Sequence, residues 1–145
     1  MGLISFAIRP KIHEVQAVQE QIDNADFDDE LEKKSSPLHC EWGSLIRELW
    51  KDRDGTPRRY SMKVFGEETS GEVIYYYDAA GHHRFTFEEF RSTTGTHRVR
   101  RVFFDQSGSR IYRDREMLAG KDYPEGYELV EQHPERAFAL GCADA

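Results

Sequence analysis

Two cysteines, no apolar run of about 18 residues and no surplus of positive charge set the first limits on this 145-residue chain. Cys40 and Cys142 are too few for a disulfide scaffold and have no Cys-x-x-Cys spacing, which excludes a zinc ribbon and a thioredoxin-type motif. The lack of a long apolar run excludes a membrane-spanning helix. A net charge of −7 argues against a dedicated nucleic-acid binder. No Gly-x-Ser-x-Gly occurs, so Ser5, Ser44, Ser61 and Ser109 lack the context of a hydrolase nucleophile. The acidic stretch Asp26-Phe27-Asp28-Asp29-Glu30 lacks the glycine and the spacing of an EF-hand loop. The opening Met1 to Ile8 is apolar but has no basic lead and no full-length hydrophobic region, a poor secretory signal. Met1 as native start implies the cytoplasm, and a leader removed ahead of it implies the periplasm or secretion.

What is present suffices for one domain over residues 1–145. Hydrophobic residues make up 38% and aromatics 12%, enough for a single core and too much for wholesale disorder. A bridge between Cys40 and Cys142 would close a loop of about 100 residues and stabilise the fold by roughly 4–5 kcal/mol in the chain-entropy model. Two free thiols are the alternative, and the sequence leaves both open. Pro10 suits the start of a helix, and Ile12, Val15, Val18, Ile22 and Ala25 follow at spacings of three and four. That predicts an amphipathic helix over 10–24. An acidic, solvated linker is expected over 25–38.

Asp-x-x-Gly recurs at Asp52-Arg53-Asp54-Gly55, Asp78-Ala79-Ala80-Gly81 and Asp105-Gln106-Ser107-Gly108. Aspartate can accept backbone N–H groups at the start of a turn, and glycine can take positive φ at its end, which suits a type I turn with a G1 bulge. Each turn lies between aromatic and β-branched runs and predicts a hairpin, giving six antiparallel strands in a meander over 40–117. The register expected from the turns pairs Trp50 with Arg58, Tyr77 with His83, Tyr75 with Phe85 and Val102 with Tyr112. Tyr123-Pro124-Glu125-Gly126-Tyr127 reads as a turn and Pro134 to Leu140 as a short helix, within a C-terminal segment over 118–145. The fold class is α+β, with the helix over one face of a curved sheet.

The strings Tyr75-Tyr76-Tyr77-Asp78-Ala79-Ala80-Gly81 and Val102-Phe103-Phe104-Asp105-Gln106-Ser107-Gly108 resemble the tyrosine-aspartate repeats of bacterial Rhs-type shells and, more loosely, MORN-like repeats. The layout is also similar to small bacterial proteins that join an N-terminal helix to a tyrosine-rich meander. The repeat likeness covers residues 72–115. It implies a binding or structural role and transfers no catalytic residue.

Charge is distributed unevenly. Residues 81–115 hold eight arginines against four carboxylates, whereas residues 1–32 hold Arg9 and Lys11 against eight acids. Ile74, Tyr76, Phe90, Val102, Phe104 and Tyr112 are expected to point away from Val73, Tyr75, Phe85 and Phe87, so both sheet faces need a cover. If one aromatic face stays open, Tyr76, Arg98, Arg100, Phe104, Arg110 and Tyr112 form an arginine-rimmed surface for a protein partner of acidic character, as in an inhibitor, immunity or envelope-associated factor. Pairing of Arg100 with Asp114 and Arg98 with Glu116 is the structural alternative. A second reading is a small-molecule or lipid pocket between helix and sheet, lined by Trp42, Trp50, Tyr60, Tyr75 and His83. An enzyme using His83 with Glu88 or Glu89 is a third, although the two glutamates read as surface charge. His82 and His83 alternate across a strand and cannot share a metal ion, so no metal and no cofactor is expected.

Overall fold

Each Asp-x-x-Gly segment closes a hairpin through the same set of bonds in the computed structural model, which describes residues 8–124 and 126–142. The apolar opening through Ala7, and Glu125 of the expected turn, lie outside the described residues. Asp52 Oδ1 accepts the N–H groups of Asp54 and Thr56, both at 3.0 Å. Asp78 Oδ1 does the same for Ala80 and His82, and Asp105 Oδ1 for Ser107 and Ser109. Gly55, Gly81 and Gly108 sit at φ +80°, +89° and +88°, which an L side chain rarely tolerates. Ser92-Thr93-Thr94-Gly95 closes a fourth turn with the same backbone bonds.

The elements are α1 (Arg9–Phe27), β1 (Glu32–Cys40), β2 (Gly43–Lys51), β3 (Pro57–Gly66), β4 (Thr69–Tyr77), β5 (His83–Ser92), β6 (His97–Phe104), β7 (Arg110–Ala119) and α2 (Pro134–Ala139). The strands form one antiparallel sheet in sequential order. It has seven strands where six were expected. The additional one is β1, drawn from the segment read as linker, and it pairs with β2 along its whole length. Glu32 to Ser36 are polar, and among the described residues no strand pairs with its outer edge. No helix among the described residues is long and apolar enough to cross a membrane.

Register differs from expectation by one residue beyond each Asp-x-x-Gly turn. Lys51 faces Pro57, but Trp50 then faces Arg59. Tyr77 faces His83, as expected, but Tyr76 then faces Phe85 and Tyr75 faces Thr86. Phe104 faces Arg110, but Phe103 then faces Tyr112 and Val102 faces Arg113. A bulge therefore sets Arg58, Arg84 and Ile111 apart, and every side chain beyond it changes face. The bulged arginines act as clamps between repeats. Arg58 Nε donates to the Tyr77 carbonyl at 3.0 Å and its Nη1 reaches Asp52 at 3.4 Å. Arg84 Nε donates to the Phe104 carbonyl at 3.0 Å and its Nη1 reaches Asp78 at 3.2 Å. Ile111 holds the corresponding place in the last repeat, where no further strand exists to be clamped, and packs into the helix-side core.

Two cores result. On one face α1 lays Ile12, Val15 and Ile22 on Ile74, Tyr76, Phe85 and Phe103. On the other, Leu49, Tyr60, Val73, Tyr75 and Tyr77 are covered by Tyr127 and by Ala137 and Phe138 of α2. The C-terminal segment is thus the second cover. A disulfide joins Cys40 at the end of β1 to Cys142 beyond α2.

Candidate functional site

Under the C-terminal segment the sheet holds the backbone of residues 121–140 by side chains rather than by a further strand. Thr96 donates to the Lys121 carbonyl, Thr86 to that of Leu129 and Tyr77 to that of Glu131. Tyr75 donates to the Glu128 carbonyl. Arg47 donates to the carbonyls of Ala137 at 2.7 Å and Leu140 at 2.6 Å. Burial pushes the hydroxyls of Tyr75 and Tyr77 above the usual tyrosine range, so they remain donors.

At the centre of this face lies an ionic triad. Glu88 has no exposed surface, which overturns its reading as surface charge. Its carboxylate receives Arg100 Nε at 2.8 Å and also Arg100 Nη2, Arg98 Nη2 at 3.4 Å and the Tyr127 N–H at 2.9 Å. A β-carbon at Gly126 would lie 2.6 Å from guanidinium nitrogens of both arginines, so any other residue there requires those guanidinium ends to shift. Arg98 also bonds Asp122 at 3.0 Å; that bond, with Arg115 beside it, holds the Asp122 carboxyl below its usual range. A carboxylate so fully bonded holds the segment down on the sheet.

His83 is buried among Tyr75, Tyr77 and Phe104. Thr86 gives its proton to the Leu129 carbonyl, so His83 Nε2 is the donor to Thr86 Oγ1 at 2.6 Å. Burial pulls its pKa down to about 4 and keeps the ring neutral near pH 7. His82 pairs with Asp78 at 3.4 Å and His97 with Glu89 at 2.9 Å, so the three histidines have separate partners. Among the described residues no group of three or more His, Cys, Asp or Glu is set to hold a metal ion.

The predicted arginine and aromatic surface is divided between the two faces and one edge. Tyr76 is only 4% exposed, packs under α1 and donates to Asp23 at 3.0 Å. Tyr112 is half-buried on that same side, against Phe103. Phe104 is buried on the opposite face beside His83, where Arg98 and Arg100 also lie, already engaged by Glu88. The expected cross-strand ion pairs are replaced, since Arg100 faces Arg115 and Arg98 faces Met117, while Arg101 takes Asp114 at 3.3 Å and Glu116 at 3.8 Å. The predicted pocket does not assemble either. Tyr60, Tyr75 and His83 lie together under the C-terminal segment, but Trp50 is on the helix side with Arg59 over its ring, and Trp42 is 40% exposed in the β1–β2 turn. The separation of Trp50 from Tyr60 follows from the bulge after Asp52.

What stays open is the outer edge of β7, where Arg110 and Tyr112 of the predicted surface both lie. Beyond its ladder with β6, no backbone hydrogen bond involves residues 110–119 among the described residues. Arg110, Arg113 and Arg115 are exposed along it. Residues Arg101 and Tyr112 to Met117 line a groove of about 750 Å³ beside the edge. The sequence signal for this was the run of arginines after residue 97; what it could not disclose is which of them the triad consumes. Comparison with protein-family models, with curated proteins and with solved structures found no match for this chain.

Proposed function

We propose that this chain is a non-enzymatic protein-interaction module that accepts an extended segment of an acidic partner along β7. The observation that carries the reading is an uncovered ten-residue edge strand whose Arg110 and Arg113 make no ion pair within 4.0 Å among the described residues. Strand addition supplies main-chain hydrogen bonds for affinity, and the alternate side chains supply selectivity. Arginine at the edge adds charge-assisted bonds to carboxylates.

Selection of extended peptides from a random library on the immobilised protein tests this reading. Acidic sequences are expected to be enriched, to slow amide exchange in β7 and to lose binding to an Arg110→Glu/Arg113→Glu variant. Peptides that bind that variant equally well, or that protect a different element, overturn it, as does the absence of any enrichment.

A further inference from the structure

The edge of β7 also specifies which strand it takes, an inference that rests on the interaction reading above. From Arg113 to Met117 the strand alternates, before a second register shift opposite His97 and Arg98. Arg113 and Arg115 lie on the side of Val102 and Arg100, their partners in β6, and Arg110 lies there too, beside Phe104. Tyr112, Asp114 and Glu116 lie on the helix side, opposite Phe103, Arg101 and Val99. One side of the edge is basic and the other acidic.

A second copy is the first partner to consider, because a bare sheet edge is a template for its own kind. Two copies that close by edge pairing are related by a two-fold axis normal to the sheet, so their strands run antiparallel and each face continues into the same face of its mate. Centred on Asp114, that register sets Arg113 against Arg115 twice and Asp114 against itself. Centring on Arg115 sets Asp114 against Glu116 twice and Arg115 against itself. The registers centred on Arg113 and Glu116 each set a like-charged pair at the axis. Like charges directly opposite destabilise a ladder. The four registers centred on residues 113–116 are therefore penalised by the alternation itself.

We propose that β7 is coded against a second copy and selects a heterologous strand with acidic residues two positions apart on one face, set opposite Arg113 and Arg115. The other face of that strand carries a neutral or basic residue opposite Asp114. Asp114 and Glu116 already share Arg101, and Arg115 is held by Asp122, so the strongest unanswered charge is that of Arg113 and Arg110.

Two synthetic peptides of identical composition and high β-propensity test the coding, one with two glutamates at alternate positions and one with them adjacent. The alternate peptide is expected to bind the full chain about fivefold more tightly, an advantage that disappears in an Arg113→Glu/Arg115→Glu variant. Equal binding of the two peptides overturns the coding while leaving the interaction reading intact; binding of neither overturns both. Sedimentation supplies a second, independent arm. The unaltered chain is expected to remain monomeric, whereas Asp114→Thr/Arg115→Glu sets Arg113 opposite the introduced glutamate on both sides of the axis and is expected to dimerise. A dimer of the unaltered chain with β7 amides protected overturns the proposal, as does a doubly substituted chain that melts normally yet stays monomeric.

Discussion

β1 and β7 are the two edges of one sheet, and they are finished in opposite ways. β1 carries Pro37, which has no N–H to offer, and exposed Lys33 and Lys34. Lys33 is tied inward to Glu48 at 2.9 Å, and the end of the strand is joined by the disulfide to the C-terminal segment. Proline and lysine are the usual means of blunting an edge. β7 has ten residues, no proline and a regular alternation of charge. One edge carries residues that blunt strand addition, whereas the other is the edge proposed to take a heterologous strand. On the proposed reading, the β7 edge is the side on which a partner strand adds.

The largest blow to this asymmetry is removal of the bridge. Cys142→Ser is expected to cost roughly 4–5 kcal/mol, measured by chemical denaturation, for a loop spanning 102 residues. Amide exchange should rise in β1 and α2 and change little in β7. Next is Glu88→Ala, which removes the shared carboxylate from two buried or half-buried guanidinium groups near the β7 side. Loss of one member of a buried pair costs roughly 3–5 kcal/mol; the lower end is expected because Arg100 is partly hydrated. Here exchange should rise in β6 and residues 121–127 rather than in β1.

Acid acts between the two edges, through His83. Its folded pKa of about 4 lies below the ordinary 6.5, so the unfolded chain binds the extra proton over that interval. Stability is therefore complete above pH 6.5 and declines as pH falls towards 4, by no more than about 3 kcal/mol. The stability difference between the natural chain and His83→Phe, followed by urea titration, should shrink over the same range. The smallest effect sharpens the comparison most. Arg113→Ala should alter stability by no more than about 0.5 kcal/mol while weakening peptide capture, because the side chain is exposed. Pro37→Thr should leave capture at β7 unchanged.

Much of this architecture was legible in the residues, and the exceptions have physical reasons. Three aspartate turns and the Ile12, Val15, Ile22 stripe stand out because local chemistry determines them. β1 did not, because Glu32-Lys33-Lys34-Ser35-Ser36-Pro37 has no buried face and owes its extension to its pairing with β2. The register slip is a matter of a single residue at each bulge, yet it moved Tyr76 under α1 and separated Trp50 from Tyr60. A signal was available: arginine stands six residues after Asp52 and again after Asp78, too regular for an ordinary strand position. Glu88 was harder to read. Alternation places one of Glu88 and Glu89 inward, but burial of a charge depends on Arg98 and Arg100 arriving from the next strand, which no local pattern announces. Of the candidate surface, Arg110 and Tyr112 lie at the open edge, Tyr76 is covered by α1, and Arg98, Arg100 and Phe104 lie on the face that the C-terminal segment takes.

The Cys40–Cys142 bond makes a covalent ring of everything from the end of β1 to the end of the described chain. Tension applied ahead of β1 and behind Cys142 would pass through β1 and the sulfur bridge alone. β1, already extended, would carry that load along its own backbone, and the six strands within the ring would bear none of it until the bridge was reduced. The edge with the least hydrophobic character is thus the tether of the molecule, and the edge proposed to hold a partner is sheltered from the pull.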